Sequence, residues 1–330
     1  MFKKSIIVST ISFLLYNVLI FYIDFPVKPG HQWQENIIKA EDYIYEQNDK
    51  KTVIVGSSLA ALLINNILPK NSYSLSFAGQ SSFDGLEIIK KTGSIPNTVL
   101  IETNSIFTSS DTDFQNSLFM PIRSSLKKIF PALLEKNQPV CVLNSIIFWS
   151  LSKIYKIFVP EMKNKLKDKK TNDISGTENE KADQPVKNGF KRLMIDIAAK
   201  NYSQPPCDRI VKKQKKMLQD FKTYLDKEGI EIILFEMPVD ERLMNSIVME
   251  DLRKMIYSVF PPGQYIYLQP PGCLKFSTTD GIHLDYASAS LYTRFLAEKI
   301  KKHDAENNRS LNKNLSELSE HDEDITFQHL

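Results

Sequence analysis

The chain of 330 residues carries 42 Lys and Arg against 39 Asp and Glu, a formal net charge of +3 at pH 7, with 42% hydrophobic and 25% charged residues. That balance is ordinary for a globular protein and excludes a collagen-like chain, a wholly disordered polymer and a multi-span transporter. The near-neutral charge argues against a dedicated nucleic-acid binder, and the length permits one large domain or two small ones.

Ser5 to Ile23 is a run of nineteen residues without a charge, preceded by Lys3 and Lys4 and followed by Asp24. A helix of that length roughly spans a hydrocarbon core of about 30 Å. The basic flank predicts an N-terminus left in the cytoplasm and a body exported across the membrane. A cleaved signal peptide and a buried helix are the competing readings. The run ends in FYIDFPVKPG, which offers no A-x-A-like cleavage site, so residues 1–24 read as an uncleaved signal anchor. Tyr22 suits a membrane interface, whereas Tyr16 is deep for one. His31 to Asn48 is helix-like and polar, and residues 25–50 read as a spacer rising from the membrane.

Lys51 to Ser57 reads KTVIVGS, a short apolar run closed by Gly56, the pattern of a buried parallel strand. Leu59 to Ile67 reads as a helix, Tyr73 to Ala78 as a second strand, Phe83 to Lys91 as a helix and Thr98 to Glu102 as a third strand. Strands alternating with helices at this spacing predict βαβ units and a parallel sheet covered on both faces. The segment around 110–205 reads as a helical insertion with a mobile stretch. In it, VCVLNSIIFWSLSKIYKIFV is apolar but interrupted by Lys153 and Lys156. An interfacial or partner-packing helix fits better than a second span, beside the plainer reading of an ordinary domain helix. Glu161 to Asn188 has no aromatic residue, seven lysines and six acidic residues, too polar to order itself by burial.

Order resumes with Phe190 to Ala199. Ile210 to Lys227 is an amphipathic helix, Ile230 to Phe235 a fourth strand, Glu241 to Phe260 helical, Tyr265 to Leu268 a short strand and Tyr286 to Lys302 a closing helix. Residues 303–330 carry seven acidic against two basic residues and read as a disordered acidic tail, which leaves the rest of the chain more basic than the total. Cys141, Cys207 and Cys273 form neither a disulfide framework nor a zinc spacing, and three buried thiols are the plainer reading beside one bridge and a free thiol.

Four polar groups sit where an α/β sheet gathers its chemistry, outside the carboxyl ends of the strands and before the last helix. Gly56-Ser57-Ser58-Leu59 follows the first strand, where a serine is also a common helix cap. Ser76-Phe77-Ala78-Gly79-Gln80 follows the second, and its glycine lets backbone approach a ligand. Glu102-Thr103-Asn104-Ser105 follows the third. Thr279-Asp280-Gly281-Ile282-His283-Leu284-Asp285 precedes the closing helix. His31 lies near the spacer, and His303, His321 and His329 lie in the tail, so His283 is the one histidine expected inside the fold. An imidazole is the natural general base near neutral pH, and an aspartate three positions earlier can reach its other ring nitrogen.

Taken together in this order and context, the four groups resemble the SGNH/GDSL hydrolase superfamily over Lys51 to Lys302. The resemblance is to its membrane-anchored extracytoplasmic members, which work on cell-envelope polymers, some of them beside a multispanning acyltransferase. It implies a three-layer αβα flavodoxin-like parallel sheet behind an N-terminal transmembrane helix, with residues 51–302 as the hydrolase-like domain. It implies Ser58 as nucleophile, His283 as base and Asp280 as its orienting acid. The oxyanion donors would be the N–H groups of Ser58 and Gly79 and the Asn104 side chain. Two departures stand out. Ser57 replaces the usual acidic residue before the nucleophile, which makes Ser57 an alternative nucleophile. Glu102 stands where the third block usually has glycine, so the substrate side is expected to differ from that of simple esterases.

The expected function is serine-dependent acyl transfer or ester hydrolysis on an extracytoplasmic glycan, without metal or other cofactor. The expected partners are an envelope polysaccharide or acyl donor, the membrane and a multispanning acyltransferase, and no nucleic acid. The alternative is a catalytically inactive scaffold or accessory subunit of such an acyltransferase. A metal-dependent hydrolase using Asp280, His283 and Asp285 is the poorer third reading.

Overall fold

The computed structural model describes the chain except residues 1, 23–26, 47–48, 171–178, 271, 273 and 327–330, with side chains also left out at 156–188, 190 and 308–326. In chain order the elements are α1 (Phe2–Tyr22), α2 (Gln32–Tyr45), β1 (Thr52–Gly56), β2 (Ser72–Ser76), α3 (Ser82–Thr92) and β3 (Thr98–Glu102). There follow α4 (Thr112–Phe119), α5 (Pro121–Ile129), α6 (Pro139–Lys170), α7 (Asn179–Tyr202) and α8 (Asp208–Lys227). The last are β4 (Glu231–Phe235), α9 (Glu241–Met244), α10 (Ile247–Val259), β5 (Ile266–Leu268) and α11 (Tyr286–Thr326).

The five strands form one all-parallel sheet in the order β2-β1-β3-β4-β5. That is the doubly wound order of flavodoxin-like folds, with its topological switch point between β1 and β3. Both of these strands are buried at every residue, which is why each reads as an unbroken apolar run. Alternate side chains feed two cores. Val53, Val55, Val99 and Ile101 pack toward α2, α3, α8 and α10 through residues such as Tyr43, Leu86, Phe221 and Met249. Ile54, Leu100 and Ile233 pack on the other face against Tyr292, Leu296 and Ile300 of α11.

Several expected elements differ in detail. The segment after β1 is a single 3-10 turn, Ala60–Leu62, rather than a helix from Leu59 to Ile67. The Ile64 N–H is drawn off to the Thr293 hydroxyl at 3.2 Å, and Asn65, Asn66 and Pro69 do not favour helix continuation. The expected helix over Glu241 to Phe260 is two, because the Ser246 side chain caps a fresh start at α10. The expected disordered tail at 303–330 is instead helical as far as Thr326, as part of α11. Residues 303–326 hold no Gly or Pro and place Leu311, Leu315 and Leu318 at helical spacing. The middle of the expected mobile stretch, 171–178, lies outside the described residues, and Cys273 does also. Cys141 is buried and Cys207 exposed.

Within the expected spacer, of which residues 25–26 and 47–48 lie outside the described residues, α2 packs against the domain. One face of α2 buries Ile37, Ala40 and Tyr43 in the main core. α1 itself is 21 residues, long and apolar enough to cross a bilayer.

Candidate functional site

β1 ends at Gly56, where a Cβ would fall 2.5 Å from the Ala60 Cβ and 3.0 Å from Glu102 Oε2. Only glycine lets the chain turn this tightly against β3, and the turn lifts Ser58 out of the sheet's carboxyl edge. Ser58 Oγ lies 3.0 Å from His283 Nε2. His283 Nδ1 lies 2.7 Å from Asp280 Oδ2, and the main-chain N–H groups of His283 and Ile282 donate to Asp280 Oδ1 at 2.7 and 3.0 Å. Residues 58 and 283 thus meet across 225 positions of sequence, at the switch point where ligands gather. Burial by itself would raise the Asp280 carboxyl, but the hydrogen bonds from the His283 N–H, its ring and the Ile282 N–H outweigh it and hold the carboxyl below its usual range.

Ser57 points the other way. It is 6% exposed, and both its N–H and its hydroxyl donate to Glu102 Oε2, at 2.6 and 2.7 Å. Ser57 therefore supports the turn and leaves Ser58 as the hydroxyl facing the histidine. Glu102 is fully buried. Burial pushes its carboxyl up, against the Ser57 hydroxyl and N–H and, more weakly, the N–H groups of Ser105 and Asn104. Its Oε1 closes no hydrogen bond of ordinary geometry.

Gly79 lines the same cavity as Ser58 and His283, and its φ of +78° favours glycine. Asn104 is placed at the end of β3 but is tied to β4's exit: its Nδ2 donates to the Met237 carbonyl at 3.0 Å and its Oδ1 accepts the Met237 N–H at 2.7 Å. One hydrogen of the Asn104 amide lies outside that pair. Asp285 is not part of the group. Its Oδ1 accepts the Ser288 N–H at 2.8 Å and caps α11. Among the described residues no group of three or more His, Cys, Asp or Glu side chains is arranged to hold a metal ion.

The cavity beside Ser58 holds about 470 Å³, and one of its walls is α2. Gln32, Glu35, Asn36 and Lys39 face it from successive turns. The Asn36 side chain pairs with both main-chain groups of Ala78, at 2.8 and 3.2 Å, and so fixes the Gly79 loop. Lys39 Nζ donates to the Ser76 carbonyl at 3.0 Å. Burial lowers its ammonium against the opposing pull of Glu35. Sequence reasoning missed this wall. Its signal was present as polar residues at 32, 35, 36 and 39 opposite the apolar 37, 40 and 44, a helix with two different faces.

No protein-family model matches the chain, and a search of curated proteins finds no match.

Proposed function

We propose that the protein is a serine acyl-transfer enzyme of the SGNH/GDSL type, held by α1 at a membrane with its domain outside the cytoplasm, acting on an ester of a cell-envelope glycan. The observation that carries this reading is the Ser58–His283–Asp280 relay, with its 3.0 and 2.7 Å contacts. In the reaction, His283 Nε2 takes the Ser58 proton as Oγ attacks the ester carbonyl carbon. Asp280 holds the proton on Nδ1 and stabilises the imidazolium. In this reading the N–H groups of Ser58 and Gly79 and the remaining hydrogen of the Asn104 amide are the donors to the developing oxyanion, as the family resemblance implies. Collapse breaks the ester C–O bond, the leaving alkoxide takes the proton from His283, and the acyl group stays on Ser58. Water or a sugar hydroxyl then attacks the acyl carbon and gives its proton to His283; the acyl–Oγ bond breaks, and Ser58 Oγ takes that proton back. The polar wall of Gln32, Glu35, Asn36 and Lys39 suits a hydroxyl-rich acceptor.

Two observations favour a second reading, an accessory module for an integral-membrane acyltransferase: the Asn104 amide is engaged with Met237, and Glu102 fills the sheet edge. Hydrolysis of p-nitrophenyl acetate by the full chain separates the two. The enzyme reading expects turnover that Ser58→Ala abolishes and Ser57→Ala retains in part. Turnover unchanged in Ser58→Ala overturns it.

A further inference from the structure

The polar residues in the middle of α1 have partners in the domain. The Tyr16 hydroxyl donates to the Asn137 carbonyl at 2.6 Å, and Asn17 Oδ1 accepts the Ala132 N–H at 3.1 Å. The Phe13 ring sits 5.3 Å from that of Phe130. The connection between α5 and α6 is therefore fastened to the middle of the apolar helix and not to its end. Eleven steps of about 1.5 Å put Tyr16 roughly 17 Å from Ser5. That is short of a hydrocarbon core of about 30 Å, so the contact falls inside the leaflet on the domain's side.

The elements flanking this connection are built for that depth. α5 turns Lys127 inward, where it pairs with Glu41 of α2, and exposes Ile122, Leu126 and Ile129 at helical spacing. Arg123 and Lys128 stand exposed on the same helix. α6 exposes Val140, Leu143, Ile147, Leu151 and Ile154 as one stripe over an apolar stretch from Pro139 to Tyr155. On the far side of the connection, Lys136 pairs with Asp42 and Glu46. A cavity of about 560 Å³ opens between α1 and α5, with Phe13, Ile122 and Leu133 among its lining and Arg123 beside them.

We propose that α5 and the first half of α6 lie in the lipid leaflet beside α1, as a monotopic foot that sinks the domain into the membrane. The apolar stripes meet acyl chains, and Lys128 and Lys153 reach anionic headgroups. Main-chain groups at such depth need partners inside the protein, and Tyr16 and Asn17 supply two of them. α2 is the strut between foot and site, since Glu41 holds Lys127 of α5 while Glu35 and Lys39 line the Ser58 cavity. The foot thus keeps the cavity at the headgroup level, whatever chemistry Ser58 performs.

The test uses the full chain in vesicles of phosphatidylcholine and phosphatidylglycerol, with no other protein present. Trp33 and Trp149 are the two tryptophans. Trp33→Phe leaves Trp149 of α6 as sole reporter, and Trp33→Phe/Trp149→Phe/Ile122→Trp reports from α5. The expected result is blue-shifted emission from both, lost for the most part when the lipids carry bromine on their acyl chains and barely changed by aqueous iodide. Iodide quenching of both reporters without bromolipid quenching overturns the proposal. That is also the outcome if the surface awaits a membrane-protein partner instead of lipid.

Discussion

Glu102 and Ser57 share one oxygen: Oε2 of the carboxyl accepts both the N–H and the hydroxyl of Ser57, at 2.6 and 2.7 Å, inside a fully buried site. The carboxyl at the end of β3 thus anchors the turn leaving β1, the residue before Ser58. Glu102→Ala leaves buried donors without an acceptor, at about 1–3 kcal/mol for each group. A lower melting temperature and a fall in kcat larger than any rise in KM are expected. A pH series adds a sign. The folded Glu102 carboxyl is raised above the ordinary glutamate value of about 4.3, so the folded state keeps a proton that the unfolded chain releases. Its contribution is present in full below that value and is lost as pH rises toward the folded one. Urea midpoints of the wild type should therefore fall with rising pH over this window relative to those of Glu102→Gln.

Asp280 works in the opposite sense. Its folded carboxyl is depressed, so its contribution is present above the unfolded aspartate value of about 3.9 and is lost as pH falls through the folded one. Below roughly pH 4 the wild type should lose stability faster than Asp280→Asn. At neutral pH Asp280→Asn mispairs the imidazole and should lower kcat by about 10⁴-fold, as loss of an orienting carboxylate does in a serine triad.

Asn104 separates catalysis from scaffolding. Removing its amide frees both main-chain groups of the buried Met237, and a stability loss is expected in either case. If the second amide hydrogen also meets the oxyanion, Asn104→Ala should lower kcat by roughly 10²–10³ with KM little changed. Equal kcat in a folded variant would assign Asn104 to loop support alone.

The Lys127–Glu41 pair is about 2% exposed on each side chain. Lys127→Met strands a buried carboxylate and should cost about 3–5 kcal/mol, read from chemical denaturation. Glu41→Leu/Lys127→Met should recover part of that loss. The recovery stays incomplete because the Glu135 N–H also donates to Glu41, at 2.6 Å.

Much of the sheet was legible because parallel strands buried on both faces are continuous apolar runs, and Val53 to Val55, Val99 to Ile101 and Ile232 to Leu234 are such runs. Ser58, Asp280 and His283, which the structure brings within hydrogen-bonding distance, stand in local patterns, a strand-end serine and D-x-x-H. What connects them was not. The choice between Ser57 and Ser58 depends on Glu102, 45 positions away. The role of α2 depends on which face meets the core, and its polar composition concealed a wall of the cavity. Tyr16 looked too deep for an interface because its partner, Asn137, is 121 positions distant.

The most direct measurement on the Ser58 relay is active-site labelling of the full chain in membranes with a fluorophosphonate, the adduct located by peptide mass. The expected result is a single adduct on Ser58 in the wild type and in Ser57→Ala, and none in Ser58→Ala or His283→Ala. Labelling that persists in Ser58→Ala, or an adduct on Ser57, would contradict the account.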